Sequence, residues 1–172
     1  MKELKPLDYR ILSELMKNAK SSDRQLAKKL GVSQPTITRR RTRLEKEIAL
    51  SYTTIPDWSK LGFQIVAITF GQWKHKIFSD EMMSEAMEFL SRHPNIVFMS
   101  SGRGVGSDRV GISLHKDYRD YQRFMQDVRQ TWGTYVDSLA SFIISIGGDT
   151  ILRPITLKYL ADYIGEEGKK KS

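Results

Sequence analysis

The chain has 172 residues, with 28 Lys and Arg against 20 Asp and Glu, a net charge of +8. Hydrophobic residues make up 40% of it, enough for real cores and too much for a disordered chain. The absence of cysteine excludes a disulfide framework and a thiolate metal site, and no stretch approaches the ~18 consecutive apolar residues of a membrane span.

The opening Met1-Lys2-Glu3-Leu4-Lys5-Pro6 carries no apolar export-signal core. A soluble cytoplasmic protein without a membrane partner is expected. The charge is unevenly placed. Residues 1–50 hold 13 Lys and Arg against 6 Asp and Glu, a net of +7, whereas residues 51–172 hold 15 against 14. Such asymmetry points to a polyanion partner for the first segment only.

Leu7, Ile11, Leu12 and Leu15 recur at helical spacing after Pro6, which suits a first turn, and this helix is expected to end near residue 18. Ser22-Asp23-Arg24-Gln25 has the form of a capping box and opens a short helix over 23–30, with Leu26, Ala27 and Leu30 inward. Gly31 supplies the left-handed residue that ends it. Ser33 is the next expected cap, and a third helix runs from Gln34 to about Lys46 with Ile37, Leu44 and Ile48 inward.

Three short helices with a tight glycine-containing turn form a helix-turn-helix. The outer face of the third helix carries Gln34, Pro35, Thr38, Arg39 and Thr42, with Ser33 and Thr36 beside its N-terminus. Gln pairs with adenine, Arg with guanine, and Thr uses its hydroxyl or methyl on base edges. Arg40 and Arg43, to one side, are expected to clamp phosphates, which dominate affinity. Arg41 falls on the flank of the buried stripe, its stem packed and its head reaching water or phosphate. A three-helix protein-interaction domain with a basic face is the bland alternative. Four arginines within five positions (Arg39, Arg40, Arg41 and Arg43) repel one another unless an anion is near, which favours DNA.

The stretches LDYRILSEL, LAKKLGVSQPTITRRRTRLEKE and SYTTIPDWSKLGF resemble the leucine-responsive regulator/AsnC (feast/famine) family of bacterial and archaeal transcription factors, with an archaeal cast. Asp8, Ile11, Leu12, Leu26, Ala27, Gly31, Val32, Ser33, Arg40, Arg43, Leu44 and Glu45 carry the likeness. Arg41 departs from it, standing where the family usually has an apolar residue, and Glu47-Ile48-Ala49 lacks the usual glycine. The resemblance implies an α+β chain: a winged helix-turn-helix, a ferredoxin-like dimerisation and effector domain, and a C-terminal helix.

Further along, Ser51 to Ile55 alternates like a short strand, and Pro56 to Gly62 breaks it with turn residues, so a hinge is placed at 51–63. Residues 64–72 read as a strand. Residues 80–92 read as a helix capped by Ser79, with Met83, Met87 and Leu90 inward and Pro94 as its stop. A strand at 95–101, a turn at 102–107, a strand at 108–115 with Val110, Ile112 and Leu114 on one face, a helix at 118–131 and a strand at 137–147 complete βαββαβ, the ferredoxin-like order. A last helix at 154–164, with Leu157, Leu160, Ala161 and Ile164 as its stripe, is expected to cap the sheet or pack on a partner subunit, followed by a disordered basic end at 168–172. The expected domains are thus 1–50, a linker at 51–63, 64–150, and a C-terminal segment at 151–172.

Gly102, Gly104 and Gly106 lead to no helix and no Lys-Ser/Thr pair, so a hairpin requiring positive φ explains them better than a phosphate loop. The resemblance places an effector site near this hairpin, with Gly104, Gly106, Asp108 and Arg109 as candidate residues. His75, His93 and His115 stand singly and read as surface residues, so no metal, cofactor or catalytic group is expected. Trp58, Trp73 and Trp132 read as core or interface packing rather than as stacking platforms for single strands.

The expected protein is a sequence-specific regulator that binds double-stranded DNA as a homodimer or higher even-numbered oligomer, modulated by a small molecule such as an amino acid. The alternatives are a non-specific architectural chromosome protein and a haem-pathway (sirohaem) decarboxylase-like enzyme of the same layout. An enzyme of that kind has no use for an arginine-rich recognition helix.

Overall fold

The computed structural model describes residues 4–48, 50–74, 79–147 and 151–170. The chain divides into two compact units, one of residues 1–55 with 153–172, the other of residues 56–152.

The first unit begins with α1 (Pro6–Lys17), where the Lys5 N–H donates to the Asp8 carboxylate at 2.8 Å. The Ser22 box precedes α2 (Asp23–Leu30) as expected: Gln25 N–H donates to Ser22 Oγ, and the Ser22 N–H to Gln25 Oε1. Gly31 ends the helix with φ of 69°, and the following α3 spans Gln34–Glu47. Ile11, Leu15, Leu26, Ala27, Leu30, Ile37 and Leu44 form one core, with Leu7, Leu12, Val32 and Ile48 at its margin. The spacing of apolar residues in the sequence therefore gave the three inward faces correctly. The short strand expected at 51–55 is absent: no ladder forms there within the chain.

The C-terminal helix, α6 (Lys158–Lys170), also belongs to this unit and lies along α1. The expectation that it caps the sheet is corrected, since its contacts run to α1. The reason is a seam of small residues. Ala161 and Gly168 are buried. A Cβ on Gly168 would stand 2.8 Å from Tyr9 Cβ and 3.0 Å from the Pro6 carbonyl oxygen, and one on Gly165 would stand 3.0 Å from Ser13 Oγ. Lys17 and Asp162 pair across the two helices at 2.6 Å. Leu157 and Leu160, expected inward, are exposed. Gly168, Lys169 and Lys170, read as part of a disordered end, are helical, while Lys171 and Ser172 lie outside the described residues.

In the second unit a 3-10 turn (Ser59–Leu61) precedes β1 (Ile65–Trp73), α4 (Asp80–Arg92), β2 (Ile96–Gly104), β3 (Ser107–His115), α5 (Tyr118–Trp132) and β4 (Val136–Ser145). The four strands form one antiparallel sheet in the order β2-β3-β1-β4, the ferredoxin-like arrangement expected from βαββαβ. One sheet face carries the two helices over a core of Trp73, Phe89, Val128 and Trp132. Trp132 meets Trp73 and Phe89 edge to face, with ring centres 5.4 and 5.9 Å apart. Met83 and Met87 are exposed instead of inward, because α4 turns Met82, Ala86 and Phe89 to the core. Both stripes have helical spacing, and the aromatic anchor decides between them.

His115 corrects the reading of surface histidines. It is fully buried, its Nε2 lies 2.8 Å from Ser113 Oγ, and its ring meets Tyr121 and Phe124. Burial holds its pKa below the ordinary value, against the opposing pull of Asp120. His93 is half-buried, 3.6 Å from Asp127, and His75 lies outside the described residues. Among the described residues no group of three potential metal ligands forms, and no helix is long and apolar enough to cross a membrane.

Candidate nucleic-acid interface

Helix α3 owes its orientation to Ile37 and Leu44, both fully buried. The residues on the opposite face, Gln34, Pro35, Thr38, Arg39 and Thr42, are all exposed, and Thr36 is half-buried. Ser33 precedes the helix in extended conformation but makes no side-chain cap bond. Its hydroxyl instead lies 2.9 Å from that of Thr36, and the Thr36 and Ile37 N–H groups donate to the Ser33 carbonyl at 3.1 and 3.3 Å. Thr38 Oγ1 donates to Asp23 Oδ2 at 2.6 Å, so α2 fixes the rotamer of a side chain on the outer face.

Within this cluster the four arginines separate by their partners. Arg39 is exposed and forms no ion pair among the described residues. Arg40 Nη1 donates to Asp8 Oδ1 at 2.8 Å, and Arg43 Nη2 to Asp8 Oδ2 at 2.5 Å. Asp8 is fully buried. Burial alone would raise its pKa, but the Arg40 hydrogen bond, the Lys5 N–H and the charges of Arg40 and Arg43 outweigh it and hold the carboxyl below its ordinary value. Arg40 and Arg43, the expected phosphate clamps, thus share one intramolecular carboxylate. The shared pairing ties α3 to α1.

The head of Arg41 does not reach for water or phosphate either. Its guanidinium donates to Glu45 Oε1, Tyr52 Oη, the Ser21 carbonyl and Asp23 Oδ1, all at 3.1–3.2 Å. Tyr52 in turn donates to Glu45 Oε1 at 2.7 Å. An arginine stands here in place of an apolar residue, and the ion pairs explain how its charge is accommodated. Tyr52 and Asp23 are partners of this helix that the sequence did not single out. Tyr52 lay in what read as a linker strand, and Asp23 read only as part of a cap.

In the second unit the hairpin between β2 and β3 is tighter than the expected turn over 102–107. Gly104 pairs with Ser107, and only Val105 and Gly106 form the turn, with φ of 46° and 69°. Two positive φ values mark the type I′ hairpin turn. Gly106 meets this requirement without strain, whereas Val105 is β-branched and meets it at a cost. Gly102 and Gly104 do not have positive φ. Asp108 Oδ1 accepts from the Trp73 N–H at 3.2 Å, and the Arg109 guanidinium lies 5.9 Å from the Trp73 ring centre. The structure thus brings Asp108 and Arg109 to one end of β1, while Gly106 serves the turn and Gly104 closes the ladder beside it.

Residues 6–45 match the model of the AsnC-type helix-turn-helix domain. A protein named as an uncharacterized HTH-type transcriptional regulator, PH0061 of Pyrococcus horikoshii, is 27% identical over 134 residues, 76% of this chain and 85% of that protein. AsnC of E. coli superposes with a TM-score of 0.68 at 20% identity, over 90% of this chain and 99% of that one. The transcriptional regulator NMB0573 of Neisseria meningitidis, solved as a complex with L-Met, superposes with a TM-score of 0.73 at 16% identity, over 92% and 99%. Residues 6–45 thus carry an AsnC-type helix-turn-helix, and the chain as a whole is similar to HTH-type transcriptional regulators and shares the fold of AsnC.

Proposed function

We propose that the exposed face of α3 reads base edges in the major groove, with Gln34, Pro35, Thr38, Arg39 and Thr42 as its contact residues. The observation that carries this is the division among the arginines. Arg39 alone is unpaired beside exposed polar residues, while Arg40, Arg41 and Arg43 are held by carboxylates. The hydroxyls of Ser33 and Thr36, side by side at the N-terminus of α3, support it as a phosphate contact there. Arg39→Ala is expected to weaken duplex binding by about 1–3 kcal/mol if Arg39 holds a guanine. If it holds a phosphate, the variant reduces the salt slope by about 1. In both cases the thermal midpoint stays at the parent's. A mobility-shift titration at several salt concentrations distinguishes these outcomes, and unchanged affinity at every one removes Arg39 from the interface.

The protein acts on DNA as a homodimer in the cytoplasm. Support for the dimer comes from the sheet face opposite the helices, where Ile68, Ile112, Phe98 and Phe142 stand in register and Phe142 is 66% exposed. Its DNA binding responds to a small molecule, a reading supported by the L-Met bound to the structurally similar Neisseria regulator and by Asp108 and Arg109 converging beside Trp73.

A further inference from the structure

The outer face of α3 holds one side chain whose rotamer another helix decides. Thr38 is exposed, one turn after Gln34 and one turn before Thr42. A threonine in a helix divides between two rotamers, because its hydroxyl can bond a carbonyl of the preceding turn. Here Oγ1 lies 3.2 Å from the Gln34 carbonyl oxygen and 2.6 Å from Asp23 Oδ2. The shorter bond, to a carboxylate, is the stronger of the two. The single hydroxyl proton is therefore held within the protein. Thr38 has none to give to the acceptors that guanine, adenine and thymine display in the major groove, and its methyl remains.

Asp23 is itself held. Its other oxygen, Oδ1, accepts from Arg41 Nη1 at 3.2 Å. The same guanidinium donates to the Ser21 carbonyl, Glu45 Oε1 and Tyr52 Oη. A bare carboxylate beside a reading helix would repel the phosphates of a duplex, and Arg41 neutralises it in place. Arg41 thus does what an apolar side chain at its position could not. It fixes the carboxylate that fixes Thr38.

We propose that Thr38 is a specificity-determining residue whose methyl meets the C5-methyl of a thymine, and that Asp23 is the positioning residue that turns it there. The proposal rests on the reading of α3 as the major-groove helix, and names the base for one of its contacts.

A duplex is selected from a random pool with the parent protein, and each thymine of one half-site is replaced in turn by deoxyuridine, which lacks only the methyl. Affinities are compared by mobility shift at one salt concentration, with circular dichroism confirming that each variant is folded. At one thymine the replacement is expected to weaken binding of the parent about fourfold, the worth of one buried methyl. Thr38→Ser keeps the hydroxyl and loses the methyl, so it is expected to bind thymine and deoxyuridine alike at that position. Thr38→Val keeps a methyl and holds one preferred helical rotamer without a hydrogen bond, so it is expected to keep the preference. Asp23→Ala is expected to remove most of the preference in the parent background and none of it in the Thr38→Val background. A general disturbance of the helix would lower the preference equally in both backgrounds, and that outcome overturns the positioning role. Deoxyuridine tolerated at every thymine, or a preference that persists in Thr38→Ser, overturns the thymine contact while the selected duplex keeps the major-groove reading. A pool that yields no preferred duplex overturns both.

Discussion

At the scale of single residues, the arginine-rich stretch of α3 shows how alike side chains acquire different work from their partners. Asp8, twenty-six residues before Gln34 in the chain, neutralises Arg40 and Arg43 from beneath the helix. Asp8→Asn leaves two half-buried guanidinium groups without their carboxylate, and breaking a buried pair from one side costs about 3–5 kcal/mol. Urea unfolding is expected to show a loss of that order, and a loss below about 1 kcal/mol would mean that the pairing carries little. The pH dependence follows from the direction of the shift. A carboxyl held below its ordinary value of 3.8 stabilises the fold above that pH and loses its contribution as pH falls below it. The parent protein should therefore lose stability over that acid range, and Asp8→Asn should lack this part of the slope.

Among the elements, those whose apolar spacing admits one solution were legible, and those with two were not. The core faces of α1, α2 and α3 followed from Ile11, Leu26, Ile37 and Leu44. In α4 the residues 83, 87 and 90 compete with 82, 86 and 89, and only the packed Phe89 settles the choice. Burial of His115 was illegible because alternation says which residues share a strand face, not which face is covered. The α6 seam was missed because the leucines drew attention, while the contact is made by residues with little or no side chain. That seam sets an element-scale expectation. Gly168→Ala should raise helix propensity by about 1 kcal/mol. Its Cβ would nevertheless stand 2.8 Å from Tyr9 Cβ and 3.0 Å from the Pro6 carbonyl oxygen. Overpacking of this kind costs about 1–3 kcal/mol, so a lower thermal midpoint is expected. A midpoint above the parent's would show that α6 does not hold α1 through this contact.

At the scale of the whole molecule, charge and apolar surface belong to different segments. The basic excess lies in residues 1–50, whereas the nearly neutral remainder includes a sheet face with Ile68, Ile112, Phe98 and Phe142 in register. Phe98 is also exposed, at 50%. A specific dimer removes about 800 Å² from each partner, and a four-stranded sheet with a continuous apolar face offers the surface for it. Two-fold pairing through that face would present two recognition helices to half-sites one helical turn, or a multiple of it, apart. Phe142→Asp puts a charge on the edge strand of the face without touching the helix-side core, so the chain should stay folded and become monomeric by sedimentation velocity. Each monomer then neutralises about half the phosphates of the dimer, so the salt slope of duplex binding should fall to about half the parent's. A Phe142→Asp protein that still sediments as a dimer with the parent's salt slope would place the subunit contact elsewhere on the chain.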